Sequence, residues 1–121
     1  MTRIEIQDKL IRIGVKPSLK GFRYLVDAIE RYDPKKAICA GIYQEIAELH
    51  NDTISRVERV IRHAIDVCFN RNSRALYDLF GGTIDPEKGR PSNSEFIALL
   101  RLRMEQKEKP SRNGNSEEGN K

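Results

Sequence analysis

Between residues 55 and 63 the chain reads Ser-Arg-Val-Glu-Arg-Val-Ile-Arg-His, and three of its polar members can read the edge of a planar heterocycle. Arg56 and Arg59 each carry a rigid fork of donors that can make two parallel bonds to the major-groove edge of guanine. The carboxylate of Glu58 can accept from the amino group of cytosine. Lysine and glutamate at i and i+4 would make only a solvated face. Arginine at this spacing, in the first turns of a helix, is the pattern of a helix that enters a groove.

The residues before this stretch must aim it. Gln44 to Arg62 reads as a helix-turn-helix: Ala47 is small where two helices would touch, and Asn51, four residues on, tolerates a left-handed turn. Thr53 can cap the second helix, and Asp52 places negative charge at that helix's positive end. Val57, Val60 and Ile61 form its apolar face, so Ser55, Arg56, Glu58, Arg59, Arg62 and His63 project outward.

The remaining elements are helical too. Ile6, Leu10 and Ile13 recur at helical spacing over 4–13, with Gly14 placed to end that helix in a left-handed conformation. A second helix is predicted over 19–32, with Phe22, Leu25, Val26 and Ile29 as its core stripe. Gly21 lies near its start, where glycine costs less than in the interior. The third helix spans about 36–50, with Ile38, Ile42, Ile46 and Leu49 on one stripe. The recognition helix runs on to about Asn70 through Ala64, Ile65 and Cys68.

Asn72 or Ser73 can cap a brief helix carrying Leu76, Leu79 and Phe80, which Gly81 and Gly82 end. Residues 82–91 are rich in turn formers and read as a surface loop. Ser92 and Glu95 make a capping box ahead of Phe96, Ile97, Leu99, Leu100 and Met104. The expected fold is all-α, a six-helix domain over 1–106 containing a helix-turn-helix. Residues 107–121 carry no large apolar side chain and are expected to be a disordered polar tail.

Composition bounds the rest. With 121 residues and 38% hydrophobic content, the chain supports one modest core. Its 22 basic and 18 acidic residues give a net charge of +4, which favours an acidic partner mildly. Cys39 and Cys68 belong to no cluster of metal-ligand spacing and read as buried free thiols of a reducing compartment. No apolar run approaches a membrane span, and no signal segment opens the chain, so a cytoplasmic protein is expected, nucleoid-associated when bound to DNA. His50 reads as a cation favoured at a helix C-terminus. Neither a Ser, His and Asp set, a phosphate loop nor a metal cluster is present. The expectation is therefore no catalysis, no metal and no cofactor.

Three stretches carry a family resemblance: SRVERVIRHAIDV over 55–67, LFGGT over 79–83 and PSNSEFIALL over 91–100. With IGVKPSLKGFRYLVDAI near the start, they resemble the C-terminal DNA-binding domain of the sporulation regulator called stage-zero protein A, over roughly residues 4 to 104. That resemblance implies double-stranded DNA as partner, with Arg56, Glu58 and Arg59 as base readers and Ser55, Arg62 and His63 on phosphates. It implies a second backbone contact at Arg90, Ser92, Asn93 and Ser94, where a helix N-terminus is independently suited to anions.

It further implies head-to-tail copies on short direct repeats, and contact with the polymerase sigma subunit through residues 73–83. The family carries a phospho-acceptor receiver domain ahead of this one, and the sequence begins about at the effector's first helix. An excised effector domain or a stand-alone relative is expected. The alternative function is a receiverless interaction module that pairs with, or competes against, the full regulator.

Overall fold

Helix α1, Arg3–Ile13, begins at a reciprocal cap: the Thr2 hydroxyl accepts from the Glu5 amide at 3.2 Å, and the Glu5 carboxylate accepts from the Thr2 amide at 2.8 Å. It ends at Gly14, whose φ of 109° only glycine adopts without strain. Residues 1–36, 38–71, 74–80 and 89–108 are described by a computed structural model, the side chains at 38–40, 74, 75, 77, 107 and 108 excepted. Among them the elements are α1, then α2 (Lys20–Arg31), a π-helical segment (Ile38–Tyr43) leading into α3 (Gln44–His50), then α4 (Ile54–Asn70), α5 (Arg74–Phe80) and α6 (Asn93–Glu108). No strand occurs among the described residues, and the all-α expectation holds.

Helix α2 is the central element. Tyr24, Leu25, Val26, Ala28 and Ile29 are all fully buried on it, and it packs on α1, α4 and α6. Glycine at its second position serves a purpose that helix propensity did not reveal. A Cβ on Gly21 would sit 2.5 Å from the Val60 carbonyl oxygen and 2.6 Å from the Ala64 Cβ. Gly21 is thus the point at which α2 meets α4 backbone to backbone.

Cations fasten the C-terminal end of α2. Arg3 bridges to Asp27 at 2.8 Å and to Glu30 at 2.7 Å, tying α1 down. Arg101 on α6 directs Nη1 at the carbonyls of Ile29, Glu30 and Tyr32, at 2.9, 3.1 and 3.1 Å. These are the acceptors that a helix C-terminus leaves over, and α2 has no glycine there to satisfy them by turning back.

The third helix differs from its expected form. A continuous α-helix over 36–50 is replaced by a π-helical segment up to Tyr43 that tightens into α3. The wider turns shift the phase of the apolar stripe. Ile42, Tyr43, Ile46 and Ala47 are buried, whereas Leu49, expected on the stripe, is 58% exposed.

At the other end of the core, Phe69, Phe80 and Phe96 join α4, α5 and α6. The rings of Phe80 and Phe96 stack 5.2 Å apart, and Phe69 meets both edge-on. Cys68 is a buried free thiol, as expected, donating to the Ile13 carbonyl at 3.5 Å; burial pushes its pKa up to about 11. The Cys39 side chain, the cap at Asn72 or Ser73, residues 81–88 and the tail from 109 lie outside the described residues.

Candidate nucleic-acid interface

The turn between α3 and α4 takes the shape its residues favour. Asn51 adopts φ 55° and ψ 50°, among the described residues the one non-glycine with positive φ, and the Asp52 amide returns to the Ala47 carbonyl at 2.8 Å. Thr53 is extended, and its hydroxyl accepts from the Arg56 amide at 3.2 Å, capping α4. Ala47 is 5% exposed where α3 and α4 meet.

Helix α4 divides by angle. At about 100° per residue, Val57, Val60, Ile61, Ala64, Ile65 and Cys68 fill one arc, and of these only Val60 falls short of full burial. The opposite arc carries Ser55, Arg56, Glu58, Arg59, Arg62 and His63; Ser55, Arg56, Arg59 and His63 are exposed, Glu58 and Arg62 partly so. The six residues predicted to project outward therefore share one face.

Their surroundings differ. Arg59 and His63 make no hydrogen bond or ion pair among the described residues, so their donors face solvent. Arg62 donates from Nη2 to Glu58 Oε1 at 3.1 Å, one turn back along the helix. Arg56 directs Nε at Asp52 Oδ1, 2.9 Å away.

Asp52 does more than complement the helix dipole. Its Oδ2 accepts from the buried Tyr24 hydroxyl at 2.7 Å, its Oδ1 accepts from the Thr53 amide at 2.8 Å, and Lys20 Nζ lies 3.5 Å from Oδ2. The Tyr24 bond, followed by the Thr53 amide and the charges of Lys20 and Arg56, holds the Asp52 carboxyl down to about 2. Burial and that same carboxylate push Tyr24 up to about 12.

A pH dependence follows from the Asp52 shift. A carboxyl depressed on folding stabilises above its unfolded pKa, near 3.8, and that contribution fades as the pH falls to about 2. The urea midpoint of the parent should therefore fall more steeply between about pH 4 and pH 2 than that of Asp52→Asn. Parallel profiles would contradict the assignment.

His50 also has a specific partner. Rather than serving only the end of α3, its Nε2 lies 2.6 Å from Oδ2 of the buried Asp27, and its ring sits 4.8 Å from that of Tyr24. Nothing local marked Tyr24 or Asp27 for these roles, because their partners lie 28 and 23 residues away.

The start of α6 abuts α4. Ser92 and Glu95 form the expected box, with bonds of 2.8 and 3.2 Å. Arg90 pairs with Asp66 of α4 at 2.5 Å. Ser94 is exposed, whereas Asn93, expected beside it as a phosphate contact, is turned inward and 8% exposed. Its Nδ2 donates to the Glu58 carbonyl at 3.0 Å and to the Tyr43 hydroxyl at 3.2 Å. Asn93 thereby ties the start of α6 to the backbone of α4.

Residues 6–104 match the family model described as sporulation initiation factor Spo0A, C terminal. The chain belongs to that family. The Spo0A C-terminal domain is a DNA-binding effector domain of transcription regulation in sporulation. DNA is accordingly the partner of this Spo0A-type domain. No described helix is long and apolar enough to cross a membrane.

Proposed function

We propose that this domain binds double-stranded DNA in a sequence-specific manner, with α4 in the major groove. Arg56, Glu58 and Arg59 read base edges; Ser55, Arg62 and His63 contact phosphates on either side. Arg90, Ser92 and Ser94 supply a second backbone contact, with the free amides at the start of α6 as its anion-binding element. The observation that carries this reading is the exposed arc of α4, which begins directly after the tight turn at Asn51 and presents Arg56 and Arg59 side by side.

Charge also supports the division of roles. Glu58 and Arg62 are paired in the free domain, so a base that engages Glu58 releases Arg62 toward the backbone. His63 can donate a hydrogen bond to phosphate through its ring, whereas the permanently charged Arg62 displaces a counterion.

Head-to-tail copies on direct repeats, and contact with the polymerase sigma subunit through residues 73–83, belong to the same proposal. Of that stretch 74–80 is described, with Leu76 and Phe80 in the core and Asp78 exposed. Selection of bound duplexes from a random pool tests the reading. A short motif recovered as a direct repeat is the expected result; no enriched motif would overturn it, and single motifs would remove the tandem arrangement.

A further inference from the structure

On the reading that Arg56 contacts a base, the contacts around Asp52 have a further role. We propose that Asp52 and Tyr24 are positioning residues that set the specificity of Arg56. Asp52 Oδ1 takes Nε of Arg56 at 2.9 Å, and no described residue engages either terminal nitrogen of that guanidinium. The group is therefore presented end-on, with Nη1 and Nη2 available as a pair. Two parallel donors are what the O6 and N7 acceptors of guanine require.

Asp52 is suited to this task because it is itself immobile. Its side chain is 6% exposed, and both oxygens are held by groups other than Arg56: the Thr53 amide on Oδ1 and the Tyr24 hydroxyl on Oδ2. Tyr24 belongs to α2 and is fully buried, so the reference point for the guanidinium is the core and not the flexible end of a surface side chain. An arginine held this way gives up less rotamer freedom at the base than a free one does.

The carboxylate also carries a charge cost. A carboxylate at the start of a helix that enters the groove repels the phosphates, which weakens binding to any duplex. Asp52 thus exchanges general affinity for discrimination at one base.

The test uses Asp52→Asn, Tyr24→Phe, Arg56→Ala and the Asp52→Asn/Arg56→Ala double variant. Each is titrated against the pool-selected duplex, all its single-base variants and an unrelated duplex. Tyr24→Phe keeps the buried ring and removes only the hydroxyl, so it serves if Asp52→Asn folds poorly; urea midpoints are measured for all four.

Arg56→Ala should relax one base position. Asp52→Asn and Tyr24→Phe should lower discrimination at that same position by roughly three- to tenfold, and at no other. Asp52→Asn should bind the unrelated duplex more tightly than the parent, and the double variant should discriminate no worse than Arg56→Ala alone. A uniform shift over all duplexes, sharper discrimination, or additive losses in the double variant would overturn the positioning role while leaving Arg56 as a reader. If Arg56→Ala relaxes no position, the base-reading assignment and this proposal fall together.

Discussion

Gly21→Ala should destabilise the domain even though alanine is the better helix former. On propensity the change gains up to about 1 kcal/mol, since glycine is the more costly residue within a helix. Against this stands a new Cβ placed 2.5 Å from a backbone oxygen of α4 and 2.6 Å from the Ala64 Cβ. Neither obstacle can swing aside, because one is main chain and the other is bonded directly to it. The helices must separate, and overpacking of this kind costs typically about 1–3 kcal/mol, more when backbone moves.

The steric effect wins. A net loss of about 2 kcal/mol would lower Tm by on the order of 10 °C in a domain of this size. Thermal and urea unfolding check it, and a variant as stable as the parent would mean that α2 and α4 do not cross so closely. Val60, whose carbonyl is struck, immediately follows Arg59, so DNA binding should weaken together with stability.

The other large effect concerns specificity. Arg56→Ala and Arg59→Ala should each remove a paired contact worth roughly 1–3 kcal/mol and relax preference at one base position. Arg59 gives the cleaner experiment, because its side chain makes no bond among the described residues and truncation leaves no protein group unpaired. Arg56→Ala also frees Asp52 Oδ1, so part of its effect arises within the protein. Arg62→Ala should instead weaken specific and unrelated DNA alike, and lower the salt dependence of binding by about one counterion.

Which features could be read from the sequence depended on how local their causes are. The left-handed turn at Asn51, the Thr53 cap, the Gly14 terminus and the Ser92 and Glu95 box each need only residues within four positions, and all four are observed. The outward face of α4 was legible for the same reason, since helical spacing alone separates Arg56 and Arg59 from Val57 and Ile61.

What was missed depends on distant partners. By its position Gly21 is only a tolerated residue near a helix start, and its reason lies with Val60 and Ala64 on another helix. Asn93 has the composition of a surface N-terminus, and only the seating of α6 on the Glu58 carbonyl turns it inward. The π-helical turns before Gln44 leave no signal in an apolar stripe that suits an α-helix equally well. From sequence Asp52 serves only the dipole of its own helix, since nothing local brings Tyr24 within reach.

The central claim is that the exposed arc of α4 reads bases and does not merely attract phosphate. Affinity of Arg59→Ala, measured across a salt series on the selected duplex, its single-base variants and unrelated DNA, tests this most directly. The account predicts lost discrimination at one base position, with affinity for unrelated DNA and the salt slope close to those of the parent. A uniform loss over every sequence, with a slope shallower by about one counterion, would contradict it and make Arg59 a backbone contact.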